Sequence, residues 1–341
     1  AEAKRPLLIA GLDAVHDEAG VALRRFVEAA NMPVIQTYKA KGLLAEDHPL
    51  ALGAAALSPA ADAVILPLIE DADLVILAGY DAIEMRRSWV QPWDPAAKRV
   101  VAFEAVTNDH YLHQATTSFI CDVGAGLDAL AKGVASGSSW TEAEVAAARA
   151  SVRAPFAPDE AWGPSAVVDT ARRVLPRETV AVADVGAHRI VLSQVWQSLA
   201  PRELLQSNGL CTMGCGLPLA IGAKLAQPDR PVVAFTGDGG LLMVLGELVT
   251  AAEQGAAVIV VCFVDRSLAL IELKQQDRQL QRHGVAIGAV DLLEVAHGLG
   301  GRGAVATDRP SLETALEEAL GADTFTLIAC EISADGYAGR V

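Results

Sequence analysis

The 341-residue sequence is short of several things at once: aromatic residues make up 5% of it, Lys and Arg number 27 against 42 Asp and Glu, and there are five cysteines, an odd count. The formal charge of −15 argues against a nucleic acid or an anionic membrane surface held by bulk electrostatics, so a bound phosphate would need local backbone donors or a metal. No apolar run reaches the ~18–20 residues of a membrane span, and the opening AEAKRPLLIAG has no signal-peptide h-region, so a cytoplasmic protein is expected. Cys121, Cys211, Cys215, Cys262 and Cys330 form no CxxC pair and have no His in metal-ligand register; they are expected to be small buried hydrophobes. What is plentiful is Ala, Val, Leu and Gly. With 52% hydrophobic and 20% charged residues the chain is globular, and its length suggests about two domains.

Short apolar runs at residues 6–10, 33–37, 74–78, 99–103 and 118–123 alternate with amphipathic stretches, which predicts parallel strands covered on both faces. Residues 131–164 change character, being rich in small residues, Pro and acids, and hold at most one short helix started by Thr141. From Ser165 the alternation resumes, with strands expected at 179–184, 231–236 and 257–264, helices through Arg173 and at 217–225 and 242–254, and a last βα pair ending near Ile332. The expected architecture is α/β, with two doubly wound parallel-sheet domains (1–135 and 164–341) joined by a linker (136–163).

Three segments carry chemistry. Gly237-Asp238-Gly239-Gly240 ends an apolar strand and opens a helix, and Asp265 ends the next strand 27 residues after Asp238. Consecutive parallel strands bring these two carboxylates to one crevice, where a diphosphate bridged by Mg²⁺ would suit both the glycine amides and the acids. The plainer alternative is a tight strand-to-helix turn with an Asp N-cap. The segment from Ser207 through Asn208, Cys211 and Met213 to Pro218 holds three glycines in a loop before a helix. It could wrap a flat heterocycle or be an ordinary connection with Met213 filling core. Asp184 to His188 ends a strand with Gly186 and Ala187, and a lone His there is more often structural. Gly124 to Ala129 formally fits GxGxxA but ends the sheet, so it is expected to be a helix start.

In this order the segments resemble the thiamine-diphosphate-dependent enzymes of the acetolactate synthase and pyruvate decarboxylase superfamily, in their central and C-terminal diphosphate-binding domains. The resemblance implies that Asp238, Asp265 and the Ser267 carbonyl hold Mg²⁺, with Gly237, Gly239 and Gly240 around the diphosphate. It places Gly186, Ala187 and His188 nearby, with Ala187 where a Gln is usual, and makes Met213 the apolar wedge under a bent cofactor whose amino group the Cys211 carbonyl accepts. Where relatives commonly read FNDNSLGLI, two Asn positions are Val264 and Arg266. Leu268 and Ala269 would border the cofactor, and Leu270, Ile271 and Lys274 the substrate, with no role assigned to Glu272. Ile271, where several decarboxylating relatives carry Glu, favours carbon–carbon ligation.

Arg5 to Gly11, Thr37 to Gly42 and Asp47 to Leu50 resemble the central domain, and the stretch from Ala78 to Glu84 resembles flavin-free catabolic acetolactate synthases, which counts against FAD. Lys39, Lys41, Arg86, Arg87, His110 and His113 are expected to be solvated loop tips. The family's activating Glu belongs to an N-terminal pyrimidine-binding domain, and here the sequence opens with the central domain, so the chain is expected to hold half a site. The resemblance thus implies a Mg²⁺-dependent lyase or carboligase acting on small 2-oxo acids, completed by a pyrimidine domain from another chain or a removed segment, in a homo- or hetero-dimer or tetramer. A non-catalytic cofactor-binding subunit, a 2-oxo acid decarboxylase and a plain nucleotide binder are the alternatives.

Overall fold

A computed structural model of the chain describes residues 2–134, 137–207 and 209–341, and of Arg87 the backbone alone. Ala1, Ala135 and Ser136 at the ends of the expected first domain and its linker, Asn208 of the glycine-rich segment, and the Arg87 side chain lie outside the described residues. The chain forms two units, Ala1–Pro155 with Gln197–Arg202, and Phe156–Trp196 with Glu203–Val341.

The first unit is built on six parallel strands, β1 (Pro6–Ala10), β2 (Val34–Thr37), β3 (Ala51–Ala55), β4 (Leu74–Ala78), β5 (Arg99–Glu104) and β6 (Thr117–Ile120), in the order β3-β2-β1-β4-β5-β6. β3 is an addition to the expected set. Its sequence ALGAA has no β-branched residue, and it exists because β2 pairs with it on one side and a helix covers it. That helix, Glu142–Arg153, starts at the Thr141–Glu144 capping box and buries Val145 and Val152. It occupies residues anticipated as linker, and the division between units falls after it, between Pro155 and Phe156. The GxGxxA stretch is a helix, Val123–Ala131, whose N-cap Asp122 accepts from Ala125 N.

Several expected surface groups are inside. Lys41 is 2% exposed at its side chain, its Nζ 2.6 Å from Glu46 Oε1, so it is a buried ion pair and not a loop tip. Glu46 can hold it there because its other oxygen accepts from Ser198 N at 2.7 Å. His113 stacks on Tyr80 and hydrogen-bonds its hydroxyl at 2.8 Å, which half-buries it. Lys39 is likewise half-buried, whereas Arg86 and His110 are exposed. Only Cys262 and Cys330 are fully buried; Cys121, Cys211 and Cys215 are partly accessible because they sit in loops at strand and helix ends.

The second unit has strands β7 (Val180–Ala183), β8 (Leu204–Gln206), β9 (Val232–Gly237), β10 (Ile259–Val264), β11 (Arg302–Ala306) and β12 (Thr326–Glu331), ordered β11-β12-β10-β9-β7-β8 and parallel throughout. From β7 the chain steps outward to β8 and then returns to β9 on the other side. The reversal lies between β7 and β9, where ligands of open α/β sheets bind at the carboxyl ends. The helix expected over 242–254 is two helices, Asp238–Met243 and Glu247–Glu253, the second opening at Gly246.

Candidate functional site

The register Phe263↔Gly237 on β10 and β9 sets the ends of these strands side by side, so Asp238 and Asp265 follow adjacent ends. Asp238 is the first residue of its helix, after the N-cap Gly237, and not itself the cap. Its Oδ1 accepts from Gly239 N at 2.8 Å and its Oδ2 from Arg266 N at 2.8 Å. Arg266 turns its amide inward by adopting φ +57°, a left-handed conformation that favours Gly or Asn. Asp265 Oδ1 accepts from Ser267 N at 2.9 Å. Burial pushes Asp265 up to about 7, and the carboxylates of Asp238 and Glu272 add to it; burial also raises Asp238. Two neighbouring acids whose charge burial disfavours form a natural seat for a hard cation.

Asp184, to which the sequence motifs assign no role, organises this crevice. It is fully buried at the end of β7, and Oδ1 accepts from Val185 N at 2.7 Å and Gly214 N at 2.9 Å while Oδ2 accepts from Thr236 Oγ1 at 2.8 Å. One carboxylate thereby joins three segments. It also explains Gly240, where a methyl group would lie 2.4 Å from Asp184 Oδ2. The one clue in the sequence was an acid ending an apolar strand.

His188 is buried in the first turn of the helix Ala187–Val195, its ring stacked 5.3 Å from Phe263. Burial, with Arg189 adding to it, holds the imidazole below its ordinary pKa, so it is neutral at pH 7. Its Nε2 is buried without a hydrogen-bond partner. Gly186 lies beside the ring, since a methyl there would come within 2.7 Å of His188 Cε1. Met213, Leu268 and Ile287 converge on Gly239: a methyl there would lie 3.6 Å from Met213 Cε and 2.9 Å from Leu268 Cδ2 and Ile287 Cδ1. Cys211 has φ +52°, and Arg189 Nη1 donates to its Sγ at 3.3 Å.

The structure thus gathers Gly186, Ala187, His188, Met213, Gly237 to Gly240, Asp265, Ser267 and Leu268 at one sheet edge. Ala269 is buried at the start of the helix Ala269–Asp277, which leaves Ile271 and Lys274 exposed and Leu270 half-buried. These three line neither of two cavities that open at this edge. One, of 410 Å³, is bordered by Asp238, Arg266, Ile287 and Glu331; the other, of 530 Å³, by Trp162, Asp265, Arg266 and Gly336. Among the described residues no three His, Cys, Asp or Glu side chains form a metal-holding group, so a cation here would complete its shell with carbonyl, ligand and water oxygens.

Comparison with known proteins agrees with this geometry. Residues 1–130 match the central domain of thiamine pyrophosphate enzymes, and residues 184–330 match their C-terminal TPP binding domain. The chain is 28% identical to a probable acetolactate synthase large subunit of Methanococcus aeolicus over 95% of its own length and 57% of that protein. It is 26% identical to an acetolactate synthase of Bacillus subtilis (94% and 57%) and 31% identical to the probable 2-ketoarginine decarboxylase AruI of Pseudomonas aeruginosa (96% and 58%). The chain therefore spans somewhat over half the length of these relatives. With both domain matches in sequence order over the two units, the chain belongs to the thiamine pyrophosphate enzyme family.

Proposed function

We propose that this chain supplies the diphosphate- and metal-binding half of a carboligase that acts on small 2-oxo acids, as the names of its acetolactate synthase relatives suggest. The observation that carries the reading is the placement of Asp238 and Asp265 at adjacent strand ends beside a glycine turn. Thiamine diphosphate with Mg²⁺ fits the residues present. Asp238, Asp265 and the Ser267 carbonyl are the hard oxygen donors such a cation takes. Gly239 and Gly240 leave their amides close to the crevice because Leu268, Ile287 and Asp184 exclude a side chain there. The buried, unpartnered Nε2 of His188 is a polar atom still in need of a partner.

Bound there, the cofactor would supply an electron sink for the pair released when a 2-oxo acid loses CO₂. The chain's own part is orientation and exclusion of water. Asp238 and Asp265 would anchor the cation and the glycine turn would face the anion, while Met213, Leu268 and Ile287 make the apolar wall over Gly239. A pyrimidine-binding domain, from another chain or another segment, would complete the site, which makes a dimer or tetramer the expected assembly. Decarboxylation without ligation is the second reading, supported by the resemblance to AruI.

The test is calorimetric titration of thiamine diphosphate into the chain with and without Mg²⁺. Binding that requires Mg²⁺ and disappears in Asp238→Asn supports the reading, and absence of binding overturns it. With a pyrimidine domain added, product analysis on pyruvate separates acetolactate from acetaldehyde.

A further inference from the structure

Glu272 had no role in the sequence, yet it is the middle of a three-residue clasp. Its Oε2 accepts from the Ser267 hydroxyl, and its Oε1 lies 2.6 Å from Arg282 Nε. The carboxylate is mostly covered, at 15% exposure, whereas Arg282 is 57% exposed at its side chain. Arg282 sits in an exposed stretch, 278–284, which leads into residues 285–287. Those residues return antiparallel over the turn that follows Asp265: Leu268 N donates to Val285 O at 2.8 Å and Ile287 N donates to Arg266 O at 2.9 Å. Gln275 ties the same stretch from the helix side, its Nε2 donating to His283 O at 3.0 Å.

Ser267 is therefore restrained from every direction but one. Its amide is directed to Asp265 Oδ1, its hydroxyl to Glu272, and the two ladder bonds flank it at Leu268 and Arg266 without engaging its own carbonyl. The carbonyl is the group that the cofactor reading gives to the cation. A backbone oxygen has no rotamer of its own, so its aim is set wholly by how the residue is held.

We propose that Glu272 is a positioning residue for the candidate cation site: held by Arg282, it takes the Ser267 hydroxyl and fixes the direction of the Ser267 carbonyl. The same clasp draws residues 285–287 against the turn and keeps Ile287 over Gly239. The inference rests on the cofactor reading above and concerns residues that reading leaves without a task.

The experiment titrates Mg²⁺ into the full chain at saturating thiamine diphosphate, by calorimetry, for the wild type, Glu272→Ala, Ser267→Ala, Arg282→Ala and Arg282→Lys. Ser267→Ala keeps the carbonyl and removes the clasp. The apparent Kd for Mg²⁺ should rise about tenfold in Glu272→Ala and Ser267→Ala, as for residues that orient a ligand. It should rise about threefold in Arg282→Ala, because Arg282 is the more exposed member of its ion pair, and recover in Arg282→Lys. In the protein without ligand, hydrogen exchange at the Leu268 and Ile287 amides should accelerate about threefold in Glu272→Ala and Arg282→Ala with the melting temperature unchanged. Normal wild-type binding with unchanged variants overturns the positioning role alone. No Mg²⁺-dependent binding by the wild type overturns the cofactor reading and the positioning role together.

Discussion

In the first sheet the chain reverses between β1 and β4, and the space above that point is filled from within. Gly11 follows β1 so closely on β4 that a methyl group would lie 2.4 Å from Gly79 O and 2.8 Å from Glu84 Oε1. The Glu84 carboxylate, 3% exposed, takes the amide of Leu12 at 3.0 Å and the hydroxyl of Thr37 at 2.5 Å. In the second sheet the reversal lies between β7 and β9, where Asp184 likewise binds the neighbouring turns. But Asp238, which follows β9 itself, and Asp265, one strand further on after β10, each border an open cavity, although Asp238 is 6% exposed and Asp265 half-buried. The strand order of the first sheet is the one typical of dinucleotide binding, so topology alone would make it the better candidate. The contrast teaches that a strand reversal creates a crevice, and that the placement of the chain's own carboxylates decides whether a ligand is needed to satisfy it.

The comparison can be broken first at the buried charges of the first unit. Lys41→Met strands Glu46 in a dry site and should cost about 4 kcal/mol in urea denaturation, with Mg²⁺-thiamine diphosphate binding by the surviving folded fraction unaltered. A loss of binding at full stability would show that the first unit serves the site directly. Asp238→Ala should do the reverse, lowering cofactor affinity more than about 100-fold in calorimetry while leaving thermal stability near that of the wild type. Glu84→Ala leaves the Leu12 amide and the Thr37 hydroxyl unpaired; a loss of about 2 kcal/mol is expected by the same denaturation. Stability equal to the wild type would mean that Glu84 is not the filler of its crevice.

The smallest effect is a pH slope. The folded-state pKa of His188 is depressed by burial below its ordinary 6.5, so the neutral ring is the one the fold accommodates. Its contribution is complete above pH 6.5 and is lost as the pH falls toward the folded value, because the unfolded chain binds the proton more readily. Melting temperatures from pH 8 to 5 should therefore fall on the acid side, and His188→Asn should flatten that limb. An unchanged slope would remove His188 as its cause.

Legibility in the sequence followed the range of the interactions. β1, β4, β9 and β10 are continuous apolar runs and were readable directly, whereas β3 (ALGAA), β8 (LLQ) and β11 (RGAVA) are strands only because neighbours pair with them. The Asp238–Asp265 spacing was legible because only one helical stretch and one strand lie between the two acids. The burial of Lys41 was not, since it depends on Glu46 being held by Ser198, 152 residues away in sequence. Nor was the task of Asp184, which requires three turns to arrive together. Glu272 had no role assigned from sequence, because its ion pair with Arg282 forms only when residues 278–284 return across the helix.

By itself the sequence determined the α/β class, the glycine turn and the two acids at consecutive strand ends, because apolar runs and short-range spacing act locally. Only the tertiary structure decided which charged groups are inside, which crevice is closed by its own carboxylate, and what holds the Ser267 carbonyl in place. A carboxylate or ammonium can be buried only when partners compensate its lost hydration, and those partners come from distant parts of the chain.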